Sequence, residues 1–191
     1  MAATTRVFLA VDVDAALRRR VDAFADTCRA TGAEVSWVAP QNLHLTVKFL
    51  GDTPDARIPE VCRAAEATAQ TAVPWELELA GVGAFPHLGR PATLWIGGGA
   101  GSATLAKLAG GLDDALHPLG FARENRPFAV HLTFGRIRRA SAGLPALKQL
   151  LKENADTVFG RARIERLTVY ASDLQRGGPV YTPLGEYPFG G

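Results

Sequence analysis

The chain has little of what marks several large protein classes. Its two cysteines, Cys28 and Cys62, are far apart and lack any Cys-x-x-Cys spacing. That excludes a disulfide scaffold and a thiolate zinc site, and suits a reducing compartment. Long apolar runs are missing too. The N-terminal run Val7–Val11 stops at Asp12, too short for a signal peptide or a membrane span. The expectation is a cytoplasmic protein with no membrane partner. Charge of one sign is also scarce: 21 Lys and Arg stand against 19 Asp and Glu, for a net charge of +2 and a pI near 8.7. This suits an anionic substrate but leaves no nucleic-acid footprint by itself. No Gly-x-Ser-x-Gly marks a nucleophilic serine. The glycine turn Gly97–Gly101 precedes a helix, but no Gly-Lys-Ser/Thr follows and the third dinucleotide glycine is absent. A plain turn is expected there rather than a phosphate cradle. With 191 residues and no low-complexity segment, one large domain or two small lobes can form around a substantial core.

Histidine is scarce as well, and its placement is informative. Of four histidines, two begin the same tetrapeptide: His44-Leu45-Thr46-Val47 and His131-Leu132-Thr133-Phe134. Chance alone puts roughly one or two per cent of histidines in such a context. Each copy alternates polar and apolar residues, the period of a strand with one buried face. An imidazole and a hydroxyl therefore share one face, with Leu and Val or Phe behind them.

Around these copies the chain alternates extended and helical segments. Arg6–Val13 reads as a buried strand, and Asp14 caps a helix reaching about Ala30 before Gly32. Val35–Val38 is extended, Pro40-Gln41-Asn42 turns, and the first motif strand runs to Leu50, where Gly51-Asp52 breaks it. Helices are expected over about Asp55–Thr71, Ser102–His117 and Leu144–Asn154. Further strands are expected at Trp75–Val82, Ala92–Ile96 and Arg163–Ser172, the second motif strand lies within Phe128–Ile137, and Gly83–Pro91 is an exposed loop. Pro179–Tyr187 closes the chain as a hairpin through Gly177-Gly178. The order suggests α+β: a single bilobal, pseudo-symmetric domain over residues 1–191, with one motif per lobe. Two largely antiparallel sheets would line a central cleft, with helices packed outside.

If the two motif strands face each other, two imidazoles and two hydroxyls converge. Phosphate chemistry suits this set. Hydroxyls donate to non-bridging oxygens, while one imidazole activates water and the other protonates the leaving oxygen. A strained cyclic phosphodiester needs no metal for this, and the motifs carry no carboxylate to hold one.

The duplicated His-x-Thr-x resembles the two-histidine (2H) phosphoesterase superfamily, and most closely its RNA 2′,3′-cyclic phosphodiesterases, formerly called 2′-5′ RNA ligases. The likeness covers almost the whole chain: RVFLAVDV, WVAPQNLHLTVKFLGD, FPHLGRPATLWIG, ENRPFAVHLTFGRI and LTVYASDLQRGGPVYTPL. It implies His44 as proton donor to the leaving 3′-oxygen, His131 as proton acceptor from water, and Thr46 and Thr133 as phosphate holders. The product would be a 2′-phosphomonoester, with no cofactor or metal. Val130 stands where the family usually has proline. Arg136 matches the strand-end arginine as a phosphate contact, yet simple alternation aims it away from His131. A bulge at Gly135 or a strand end there would bring it into the cleft.

Phe49 holds the same offset in the first copy and can stack a base or sit in the core. His87 and Arg90 can meet RNA from the exposed loop or stay solvated, and His117 can pair with a helix C-terminus. The expected partner is RNA ending in a 2′,3′-cyclic phosphate, tRNA fragments among the candidates, or a small cyclic nucleotide. No obligate protein partner is implied. Ligation to a 2′-5′ linkage is the microscopic reverse, and ADP-ribose 1″,2″-cyclic phosphate would suit the same site. A non-catalytic RNA-binding module is the reading from another class, though binding alone requires no protonatable pair.

Overall fold

The computed structural model describes residues 3–176 and 178–190. Among these, the order is β1 (Thr4–Asp12), α1 (Ala15–Arg29), β2 (Val35–Trp37), β3 (His44–Pro54), α2 (Ile58–Gln70), β4 (Trp75–Phe85) and β5 (Thr93–Gly98). There follow α3 (Ser102–Leu116), β6 (His131–Ile137), α4 (Leu144–Glu153), β7 (Val158–Ile164), β8 (Arg166–Gln175) and β9 (Gly178–Pro188). Two sheets result, in the orders β3-β1-β8-β9 and β2-β6-β5-β4-β7, antiparallel throughout. Helices α2 and α3 back the first sheet; α1 and α4 back the second. This is the expected α+β architecture with one motif strand in each sheet. The lobes are not the chain's two halves, however: the first sheet joins strands from both ends of the sequence.

Period and capping explain most elements. In β1, Val7, Leu9 and Val11 are fully buried on the helix side. Asp14 caps α1 by accepting from the Leu17 amide at 2.7 Å, and the helix buries Leu17, Val21, Ala25 and Cys28 on one stripe. Cys28 and Cys62 are both free. Among the described residues, no helix is long and apolar enough to cross a membrane.

Among the boundaries that differ from the sequence reading, three have a cause in the sheets. Arg163–Ser172 is not one strand: it divides at Glu165 into β7 and β8, which belong to different sheets. The first part of β7 escapes a period-2 reading because Phe159 is skipped in its pairing with β4. Gly160 follows at φ +130°, where a side chain would strike Arg20. Likewise β3 runs past Gly51-Asp52 to Pro54 through a bulge at Leu50. Gly83–Phe85, expected in a loop, continues β4, because the Trp95 indole of the neighbouring strand lies over Gly83. Strands β8 and β9 pair as the expected hairpin. Gly177, half of its expected turn, lies outside the described residues.

Candidate active site

The two motif strands share more than a sequence. In β6, Trp95 pairs with Thr133 and Leu94 with Gly135, so Phe134 is an extra residue. In β3, Ala10 pairs with Thr46 and Leu9 with Lys48, so Val47 is the extra residue. Each strand thus bulges immediately after its threonine. The bulge reverses the parity that follows it. Arg136, opposite Thr93, falls on the face of His131 and Thr133; Phe49, opposite Phe8, falls on the face of His44 and Thr46. This is the condition under which Arg136 reaches the cleft.

The histidines are held identically. His44 Nδ1 lies 2.8 Å from the Asn42 carbonyl, and His131 Nδ1 lies 2.8 Å from the Ala129 carbonyl. A carbonyl only accepts, so Nδ1–H donates in both, and Nε2 carries the exchangeable function. His44 Nε2 is 3.0 Å from the Thr46 hydroxyl. Each ring also packs on aromatics. Phe8 stacks on His44 at 4.9 Å with Tyr181 edge-on at 5.2 Å, and Phe85 meets His131 edge-on at 5.1 Å.

Strands β3 and β6 approach within 8 Å between Cα atoms. The charge of Arg136, from the second sheet, acts on both His44 and Tyr181 of the first. Arg136 itself is exposed and donates to Thr93 at 3.3 Å.

The environment of His44 favours its neutral form. Burial lowers its pKa below the ordinary 6.5, and the charges of Arg18 and Arg136 add to that. The Asn42 carbonyl and the Asp12 carboxylate work the other way. Asp12 stands opposite His44 in the register, accepting from Tyr170 at 2.8 Å and from Arg18 at 3.0 Å. In the free protein, NMR titration of His44 is expected to give a midpoint below 6.5. Binding a phosphate dianion should move it upward, because an adjacent anion favours the imidazolium. Asp12→Asn removes a nearby anion and should move it downward; an upward move would overturn this account of the site.

The remaining sequence candidates separate. Phe49 is 49% exposed with the Arg6 guanidinium 5.2 Å above its ring, so it is not a core residue. His87 and Arg90 are exposed in the loop beyond β4, where the Gly89 amide donates to His87 Nδ1 at 3.1 Å. They share no contact with the motif residues among the described bonds. His117 sits at the C-terminal end of α3. The Gly97–Gly101 turn is a plain turn. It is hydrogen-bonded through the backbone to Glu78 of β4, whose carboxylate lies against Gly99 and would repel phosphate, and Gly101 packs on the Glu76 backbone. Sequence reasoning missed Asp12, Tyr170 and Tyr181, which belong to strands read only as core or chain end. It also missed Lys48, a lysine whose side chain is 3% exposed. Among the described residues, no three His, Cys, Asp or Glu side chains converge as a metal site.

Facing sheets that each offer an Nδ1-anchored histidine and a threonine define a two-histidine phosphoesterase. The LigT like Phosphoesterase family matches residues 11–95 and 99–181, one tetrapeptide in each stretch, and the chain belongs to that family. It is 35% identical over 182 residues to the RNA 2′,3′-cyclic phosphodiesterase of Archaeoglobus fulgidus, covering 94% of this chain and 97% of that one. To the protein of the same name from Methanothermobacter thermautotrophicus it is 32% identical over 179 residues, covering 94% and 96%. Among solved structures it is similar to TT0787 of Thermus thermophilus, with TM-score 0.82, 26% identity and coverage of 97% and 98%. It is also similar to E. coli LigT complexed with 3′-AMP, with TM-score 0.75, 25% identity and coverage of 97% and 98%.

Proposed function

We propose that this protein hydrolyses RNA 2′,3′-cyclic phosphodiester ends to 2′-phosphomonoesters, in the cytoplasm and without a metal. The observation that carries this is the matched pair of Nδ1-anchored imidazoles, each beside a threonine, on strands that approach one another. His131 Nε2 takes a proton from water as the water oxygen bonds to phosphorus. The bond from phosphorus to the 3′-oxygen breaks, and His44 Nε2 delivers its proton to that oxygen. Thr46, Thr133 and Arg136 hold the non-bridging oxygens, and Phe49 offers a face to a base. The substrate is an RNA end, tRNA fragments included, or a small cyclic nucleotide.

The half-buried, neutral-leaning His44 fits its task only when substrate is bound. The phosphodiester anion restores the imidazolium at the moment it is required. After turnover the two histidines have exchanged protonation states, and solvent resets them.

The direct test is incubation with a short RNA ending in 2′,3′-cyclic phosphate, with and without chelator, followed by identification of the terminus. A 2′-phosphate formed at the same rate in both samples is expected. Activity restored only by added divalent metal would overturn the metal-free chemistry. Thr46→Ala and Thr133→Ala should each retain activity but lose about ten- to a hundredfold in kcat/KM. Each removes one hydrogen bond to a charged oxygen, worth roughly 1.5–3 kcal/mol. Two fully active single variants would show that the hydroxyls do not face the phosphate.

A further inference from the structure

A cavity of about 560 Å³ opens beside His44, in the size range of small-molecule sites. None of its lining residues comes from β5 or β6, so it extends the cleft on the His44 side alone. The proposed reaction fixes what that side must receive. In an in-line displacement the attacking water and the leaving oxygen lie on opposite sides of phosphorus. Water lies at His131, so the 3′-oxygen lies at His44. In a 2′,3′-cyclic phosphate both ester oxygens belong to one ribose. That ribose, its base and the chain leading from its 5′-oxygen therefore lie on the His44 side too.

The cavity wall suits such a cargo. Tyr170 and Tyr181 supply ring surface, and Arg18, Arg163 and Arg166 supply guanidinium groups. Three carboxylates also line it, but each is engaged. Asp14 caps α1, Asp12 accepts from Tyr170 and Arg18, and Glu165 pairs with Arg163. The arginines keep free donors. Arg163 binds Glu165 through Nε at 3.1 Å, which leaves its terminal nitrogens toward Glu76 at 3.9 Å. Arg166 uses one terminal nitrogen on Glu186 at 3.0 Å. These pairs are about half exposed on both sides, the class of ion pair that yields readily to a better partner. A phosphodiester, with two oxygens matched to a guanidinium fork, is such a partner.

We infer that this cavity is the subsite for the terminal nucleoside and for the phosphodiester on its 5′ side. Arg163 and Arg166, at the crossing from β7 to β8, take that phosphodiester. They thereby set a preference for an RNA end over a free cyclic nucleotide. This rests on the proposed phosphodiesterase reaction and on His44 as the leaving-group acid.

The test compares adenosine 2′,3′-cyclic phosphate with adenylyl-adenosine carrying the same cyclic phosphate. The dinucleotide is expected to show at least a tenfold higher kcat/KM, mainly through a lower KM. That ratio should shrink as salt is raised, because the added contact is ionic. Arg163→Gln/Arg166→Gln should bring the ratio close to one. Equal kcat/KM for both substrates in the wild type would overturn the subsite. So would a salt-independent advantage, or a ratio unchanged in the double variant. The wild-type ratio and its salt dependence stand whether or not that variant folds. Turnover of neither substrate would instead reject the phosphodiesterase reading, and the subsite with it.

Discussion

Alanine at either motif histidine is expected to lower turnover of an RNA 2′,3′-cyclic phosphate by about 10² to 10⁴, the usual worth of a positioned proton-transfer group. The two losses should differ in kind. With both histidines present, the active form has His44 protonated and His131 neutral, so the rate follows a bell-shaped curve against pH. Without His44 only the neutral His131 matters, and the alkaline fall disappears from the residual activity. Without His131 the acidic limb disappears, and the remaining fall reports the protonation of His44 itself. Because burial lowers the His44 pKa, kcat/KM of His131→Ala should fall through a midpoint below 6.5. A phosphodiester with a nitrophenolate leaving group needs little protonation. It should partly rescue His44→Ala and leave His131→Ala impaired. Rescue of His131→Ala instead would reverse the acid and base, and equal rescue would show that neither role is correct.

The motif pair was legible in the sequence because it depends on local period alone. A strand that buries Leu45 and Val47 must turn His44 and Thr46 the other way, and the same holds around His131. The position of Arg136 was legible only as a condition. Alternation sends it to the wrong face, and the bulge at Phe134 depends on pairing with β5, which lies more than thirty positions earlier in the chain. Asp12 and Tyr170 illustrate another limit. Nothing local links them, yet β1 and β8 are hydrogen-bonded neighbours, and the tyrosine hydroxyl reaches the carboxylate across 158 positions. The division of 163–172 at Glu165 was hidden for a different reason. Period two holds on each side of the crossing, with Arg163 and Glu165 exposed and then Leu167 and Val169 buried, and the trace of the crossing is a one-residue slip at Glu165-Arg166. Periodicity reports which face is wet; it does not report which sheet.

Lys48 shows how far the second bulge effect reaches, and its replacement should have the largest effect on stability. After the bulge at Val47, Lys48 pairs with Leu9 and points to the helix side of the sheet. There Nζ lies 2.6 Å from Asp113 of α3 and donates to the Ala122 carbonyl at 2.6 Å, with Glu124 at 3.9 Å. Asp113 in turn accepts from the Glu124 amide at 3.0 Å. Residues 121–130 form no regular element and end beside Ala129, whose carbonyl holds His131. A buried cation on the first motif strand thus fixes the segment that aims the second histidine.

Lys48→Met keeps the volume and removes the charge. Breaking one side of a buried pair costs roughly 3–5 kcal/mol, and the partly wet Asp113 places this case near the lower end. For a domain of this size that is about 6–12 °C in Tm. The sign with pH follows from Asp113. Burial alone would raise its pKa, but Lys48, the Glu124 amide and Arg123 outweigh it and hold the carboxyl below its ordinary value. The stabilisation is therefore complete above the ordinary carboxylate range and lost as pH falls below it, so the gap between wild type and variant should close in acid. Lys48→Met/Asp113→Leu removes the stranded carboxylate and should recover most of the Tm. It does not restore the bond to Ala122, so kcat should stay low in both variants at temperatures where both are folded. Wild-type kcat in the stabilised double variant would show that Lys48 holds the fold and not His131.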